Sequence, residues 1–521
     1  MRTVLLSLAI AGMVISVHPS AQGRSSQALQ LVTQAAEAMG GREKILALKR
    51  ITVEGYGQLA YQNGGGNITS SPDAPQKWID VRDYARVIDF EHGRMRVRQR
   101  QLNAFVFAAA QNMKGVVAQQ GLDGEVAFNI NANGAATRGS AAAARARRMD
   151  MLADPVVIVR TALDPNAKLG NVRAAGGLTL VDVTAQGDTV TLAIDSATSL
   201  PAYVSWVGPD TNLGDVTYRA AFTGYEPVSG VLMPTGYSTT IDFRSIVLWK
   251  LYVDRHAADA PEVTAAPGVV SAAPIPGPQA PVIESTAVAK GIWFLRGAGN
   301  SVLFEFDDHL TLFEVYASEA NAKAIIDKAR SLVPGKPLTE AIVSHHHFDH
   351  TGGLRAAVAE GLTIVMQKGN EAFIREVTSR PAKRFPDALG RNPRPLKFKA
   401  VDDHLTMKDG SMAIEIYRVV ANSHMADGLM VYVPRDRLLV QGDLFDVNWD
   451  SYWWGSSYFD NVRHRNLQVE RDVPVHGSIL PLAEVQEAIA KQIKNAQALC
   501  AAVDAAGLSM AGCPVKVTVD R

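Results

Sequence analysis

Four of the chain's 12 histidines fall between His345 and His350, inside the stretch SHHHFDHTGG that runs from Ser344 to Gly353. Crowded imidazoles repel one another when protonated and gain little from packing, so a bland surface loop has no use for them, whereas a metal ion does. The stretch constrains the fold because its side chains must converge. It follows the strand-like EAIVS and precedes GGLRAAVAEG, which reads as a helix, so it forms a strand-to-helix loop. On extended backbone an H-x-H pair turns both rings to one side, which groups His345 with His347 and sends His346 away. Past the bend, Asp349 and His350 aim at a second point. Two cations about 3.5–4 Å apart is the spacing of hydrolytic two-metal sites. Gly352 and Gly353 let the next helix begin close to the loop.

Further donors follow later strands. His424 lies in ANSHMADG after MAIEIYRVV, Asp443 ends RLLVQGD, and His476 lies in VPVHG after a short extended run. A carboxylate at Asp443 could bridge two cations. Imidazole and carboxylate without thiolate suit zinc, with iron or manganese as alternatives.

The 521-residue length suggests two or three domains. The clearest seam is 257–282, rich in Ala and Pro and almost uncharged, the composition of a semi-extended linker. Before it, residues 24–256 open with one helix, QALQLVTQAAEAMGG, and then read as β: RITVEGYGQLAYQ, ARVIDFEHGRMRVRQRQL, LTLVDVTAQGDTVTLAIDS and TTIDFRSIVLWKLYV. Alternation with turn pairs predicts a mostly antiparallel sheet. Residues 132–148 read as a mobile connection or a helix start. No catalytic cluster stands here; His92 and His256 are isolated. After the seam, residues 283–521 alternate strand and helix, predicting an α/β domain of two packed sheets with helices outside, ending in an amphipathic helix from about Leu482 to Ala502.

The ordered pattern H-x-H-x-D-H, then His424, Asp443 and His476, resembles the metallo-β-lactamase superfamily over roughly Val282 to the C-terminus. That resemblance implies an αββα sandwich with the site at the sheet edges. It implies one metal on His345, His347 and His424, a second on Asp349, His350 and His476, and Asp443 bridging. It further implies that Asp349 orients an attacking water and relays its proton. β-Lactamases of the superfamily generally carry Cys or Ser at the Asp443 position; the bridging Asp resembles the glyoxalase, lactonase, arylsulfatase and phosphodiesterase branches. The first half resembles the curved-sheet domains of bacterial lipoprotein-carrier proteins, on AMGGREKILALKRITVEGYG and SATSLPAYVSW.

The expectation is a metallohydrolase with two zinc ions, or iron or manganese, that cleaves an ester, lactone, thioester or amide bond of a small, apolar substrate. A β-lactamase proper, a lipid-binding carrier with a metal-binding partner domain, and a mononuclear iron oxygenase of the same fold are the alternatives. Lys+Arg and Asp+Glu both total 52, so no global field favours nucleic acid or anionic membrane. Arg2 and the apolar run Val4 to Val17, followed by AQG, read as a signal peptide over 1–23, with cleavage after Ala21 as a rival and an uncleaved anchor as the alternative. The mature chain is expected in the periplasm or secreted, with no stable membrane span; oligomeric state is open. Cys500 and Cys513 either pair in an oxidising compartment or remain separate thiols. Five aromatic residues from Trp449 to Tyr458 read either as an apolar substrate wall or as core, and Arg463 and His464 as contacts for a polar substrate group. Lone histidines such as His309 and His404 read as surface residues.

Overall fold

The computed structural model describes residues 25–62, 76–103, 115–258, 261–422, 424–451, 455–507 and 513. The signal peptide expected at 1–23 lies outside them. Helix Ser26–Ala38 forms as the sequence predicts, capped by the Ser25 side chain. Thirteen strands then build one antiparallel sheet. Neighbours in sequence are neighbours in the sheet, except for the sixth and seventh strands, which become its edges because the first strand, Arg50–Ala60, pairs with the last, Val247–Ala257. The two edge strands, Ala136–Arg138 and Lys168–Ala175, are therefore joined by a crossing over one face.

Two helices make that crossing. Ala141–Leu152 is capped by Ser140, which decides between the two readings of 132–148 in favour of a helix start preceded by the short edge strand. Pro155–Leu163 has an Asp154 cap and Pro155 in its first turn. Its Val156, Ile158, Val159 and Ala162 pack with Val32, Met39, Val53, Ile88 and Leu192 in one core. Buried inside are Arg86 and Asp154, 2.6 Å apart, with the Tyr237 hydroxyl donating to the same carboxylate oxygen at 3.0 Å.

The second half is the expected αββα sandwich. A seven-stranded sheet starts at Glu284–Ala289 and ends at Lys397–Val401; a six-stranded sheet runs from His404–Lys408 to Leu480–Pro481. Phe304, Phe313, Ile342 and Val365 of the first meet Ile414, Ile416, Val431 and Val440 of the second. Strands Leu310–Phe313 and Leu429–Val433 are buried at every residue, because sheet and helix cover their two faces. Helix Glu319–Leu332 lies outside the first sheet; Tyr458, Val485 and Ile489 cover the second. Helix Leu482–Ala505 closes the fold, and Cys500 is bonded to Cys513, with Cα atoms 5.4 Å apart.

The seam is not a free spacer along its length. Val263, Ala266 and Val270 are buried, and Gly268–Ala272 is helical. Asp89 and Asp123 accept from the backbone N–H groups of Val263 and Ala266, and Arg94 donates to the Val263 carbonyl, so the segment is strapped along the first sheet. The halves also share a core: Leu213, Val216, Phe243 and Ile246 pack with Phe348, Leu354 and Phe373.

Candidate metal centre

Four strands that carry predicted ligands leave the sandwich at one end. Leu338–Ile342 leads into His345 to His350, Ala413–Arg418 into His424, Leu438–Gln441 into Asp443, and Arg471–Pro474 into His476. The Leu429 N–H donates to the Ser344 carbonyl at 2.7 Å and ties the loops of the two sheets together. After His347 the chain turns through the short helix Phe348–Thr351 into Leu354–Ala359. The glycine pair permits this turn by close approach: a Cβ on Gly352 would sit 2.2 Å from the Ala317 carbonyl oxygen, and one on Gly353 2.0 Å from that of Val315.

All seven predicted residues come together, in two groups. His345, His347, His424 and Asp443 form one; Asp349, His350 and His476 form the other. Asp443 faces both. Its Oδ2 lies 2.8 Å from His424 Nε2 and 3.6 Å from His345 Nε2, while its Oδ1 lies 3.1 Å from the Nε2 atoms of both His350 and His476. His346 points elsewhere, as expected: its ring meets Phe373 edge to face, and burial, then the charge of His424, lowers its pKa to about 4.

The electrostatics suit cations. Burial, followed by the charge of His350, holds His345 well below the usual imidazole range; burial and then His345 do the same to His347. Burial opposes a charge on His350 too, but Asp443, Asp349 and Glu314 outweigh it and raise its pKa. Burial disfavours ionised Asp443, yet His350 and His476 hold it well below the carboxylate range. His345 Nε2 and Asp349 Oδ1, both on predicted ligands, are buried with no hydrogen-bond partner among the described residues. Leaving such an atom dry costs about 1–3 kcal/mol, which a cation between the ligands would offset. The donor set therefore fits a divalent metal.

Three residues at the site are absent from the sequence prediction. Glu314, fully buried at φ +73°, accepts from the Ser344 N–H at 2.8 Å and lies 3.3 Å from His350 Nδ1. Ser344 Oγ lies 2.9 Å from His345 Nδ1. Orienting contacts of this kind, made through the ring nitrogen that faces away from a metal, fix imidazole ligands. The Tyr316 hydroxyl donates to Asp349 Oδ2 at 3.3 Å, and its ring stands edge-on to His350 and His476. The signal was positional: Glu314 and Tyr316 follow strand Leu310–Phe313 at the same sheet end.

The aromatic stretch divides. Tyr458 is fully buried beside Phe445 and Val485, which makes it core, and Trp449 is half-buried; residues 452–454 lie outside the described residues. Arg463 and His464 are exposed at the end of helix Ser456–His464, with Arg463 paired to Asp460.

Residues 295–448 match the metallo-beta-lactamase superfamily model. A linear primary-alkylsulfatase from Pseudomonas sp is 36% identical over 75 residues, 14% of this chain and 11% of that protein, so the match spans about a tenth of the relative's length. Among solved structures, a metallo-beta-lactamase from Pontibacter korlensis aligns with a TM-score of 0.33 at 14% identity, covering 40% of this chain and 99% of that one. The metallo-beta-lactamase FIM-1 from Pseudomonas aeruginosa, in its mono-zinc form, aligns with a TM-score of 0.32 at 15% identity, covering 41% and 96%. Residues 295–448 thus match the metallo-β-lactamase superfamily, and the sandwich that contains them has the metallo-β-lactamase fold.

Proposed function

We propose that the protein is an exported hydrolase that works with two divalent cations, zinc by donor chemistry, on a small ester, lactone, thioester or amide. The observation that carries this reading is Asp443, whose two oxygens face the two ligand groups separately. His345, His347 and His424 would hold one cation and Asp349, His350 and His476 the other, with Asp443 between them. When bound, such ions supply Lewis-acid polarisation of the scissile group and make hydroxide available near neutral pH. Asp349 keeps Oδ1 without a hydrogen-bond partner, which leaves it able to orient a water and take its proton. Tyr316, held neutral chiefly by burial, offers a hydroxyl donor beside it. The Cys500–Cys513 bond supports an oxidising compartment, periplasmic or extracellular.

The test is proton release by pH-stat from the mature protein, on a panel of carboxylic esters, lactones, thioesters and β-lactams. A primary alkyl sulfate joins the panel because of the alkylsulfatase similarity. Release from one class, abolished in His347→Ala, supports hydrolysis and names the bond; silence from protein holding two ions per chain sinks it.

A second reading has its own observation. The first half borders an open cavity of about 690 Å³ between its sheet and helix Ala141–Leu152, lined by Tyr84, Met149, Trp206, Trp249 and Leu251 and reached by Phe385 of the second half. This favours a lipid-like ligand held there, as in a carrier. Organic extraction of the purified full chain followed by mass spectrometry tests it, and extracts free of any stoichiometric amphiphile would count against it.

A further inference from the structure

The hairpin of strands Pro201–Asp210 and Gly214–Val228 belongs to the first half, yet its tip ends against the metal loop of the second. Asn212, only 2% exposed, donates from Nδ2 to the Phe348 carbonyl at 2.9 Å and to Thr351 Oγ1 at 3.4 Å. Thr351 Oγ1 in turn donates to the His347 carbonyl at 3.0 Å. The directions are forced. Phe348 O can only accept, and Thr351 commits its proton to His347, so the group facing them must be an amide nitrogen. One side chain from the N-terminal sheet thereby reaches the turn that carries His347, Asp349 and His350.

The tip is itself held. Asp210 Oδ1 accepts from the backbone N–H groups of Asn212 and Leu213, both at 2.9 Å, which fixes the turn. Leu213 is fully buried beside Phe348 in the shared core, and Arg380 donates to its carbonyl at 3.0 Å. Gly214 has φ +69°, and a Cβ there would lie 2.6 Å from the Pro381 carbonyl oxygen. Asp215 then accepts from the backbone N–H groups of Lys383, Arg384 and Phe385. The Asp210 contacts are those of an ordinary turn, whereas those made with Arg380, Lys383, Arg384 and Phe385 tie the tip to the second half.

We infer that Asn212 is a positioning residue for the metal centre, supplied by the N-terminal domain. It holds the His347–Thr351 turn so that His347 and the Asp349–His350 pair face their cations together. The second half alone would leave the Phe348 carbonyl without this donor and the turn free to shift. This rests on the metal reading of the site given above.

The test uses the full chain. Zinc affinity is measured by competition with a chromogenic chelator, and the visible spectrum of the Co²⁺-loaded protein reports ligand geometry, for wild type, Asn212→Leu, Thr351→Val and Glu376→Gln. Asn212→Leu keeps the buried volume and removes the donor; Thr351→Val removes the middle link from the other side. Glu376→Gln weakens a different contact between the halves, the Arg244–Glu376 pair, far from the ligand turn in the chain. Outer contacts of metal ligands typically contribute about 10–100-fold in metal affinity. The expected result is a loss of that size in Asn212→Leu and Thr351→Val, with an altered Co²⁺ spectrum and a double variant weaker by less than the product. Glu376→Gln should bind zinc as wild type does. Lower thermal stability in Asn212→Leu with zinc affinity and spectrum unchanged would overturn the inference and leave Asn212 a packing residue. Failure of the wild type to bind either ion would instead remove the metal reading, and the inference with it.

Discussion

The two halves of this molecule use strands in opposite ways. In the second half, short strands end together at one edge of a sandwich, and six His and Asp side chains on the loops beyond them meet around Asp443. In the first, thirteen antiparallel strands and a helical crossing border an open, largely apolar cavity of about 690 Å³, with no histidine in its lining among the described residues. Strand ends concentrate polar chemistry, because loops leave the hydrogen-bonded ladder and can aim side chains at a point. A broad meander instead creates volume. The difference gives the first half the character of a container and the second that of a reaction centre, with Asn212 as a polar link between them.

The largest expected effect tests the reaction centre. His347→Ala should lower hydrolysis on the order of a thousandfold and reduce bound zinc by about one ion per chain, read by metal analysis beside the rate. Full activity with full metal would break the contrast between the halves. On the container side, Arg86→Met strands the Asp154 carboxylate in the core, which should cost about 3–5 kcal/mol in chemical denaturation. Zinc affinity of the folded variant should stay within about twofold, well short of the effect of losing an outer-shell contact. Parallel loss of both would show that the halves fold as a single cooperative unit.

Gly353→Ala forces a methyl into the Val315 carbonyl and should destabilise by about 1–3 kcal/mol while shifting the histidine turn. Denaturation midpoint and turnover should fall together; a variant unchanged in both would show that the turn relaxes freely. The last effect is in pH dependence, and it is small only per pH unit. Asp472 is fully buried, and burial raises its pKa to about 8, so the folded state holds its proton where the unfolded chain, near 3.9, has lost it. Its contribution is complete below about pH 4 and disappears as pH rises through 8, at no more than about 1.4 kcal/mol per pH unit. Asp472→Asn should flatten the stability profile in that window, measured by urea denaturation between pH 5 and 9. A variant with the wild-type slope would show that other groups set it.

Much of the site was legible because its residue types are rare and chemically committed. Four histidines in six residues have few uses, and period-two alternation alone separates His346 from His345 and His347. Glu314, Ser344 and Tyr316 were not legible, since a glutamate, a serine and a tyrosine have many uses; only the shared sheet edge gives these three theirs. Helix Pro155–Leu163 is hidden in the sequence for a related reason. VVIV is a β-branched run, and the Asp154 cap and Pro155 start outweigh it only once the helix can bury those residues against the sheet. The segment 257–282 reads as a linker by composition, but Val263, Ala266 and Val270 lie against the first sheet, whose Asp89 and Asp123 were far away in the chain.

From sequence alone came the two halves, their strand and helix periods, the seven candidate ligand residues and the two ways of using the cysteines. These are local properties: spacing, alternation and donor type are fixed within a few residues. Only the tertiary structure decided that Asp443 faces both groups, that Cys500 meets Cys513, and that Asn212 of one half supports the metal turn of the other. Those contacts join residues separated by up to 139 positions, and no local pattern encodes which distant loops the packing of two sheets will bring to one edge.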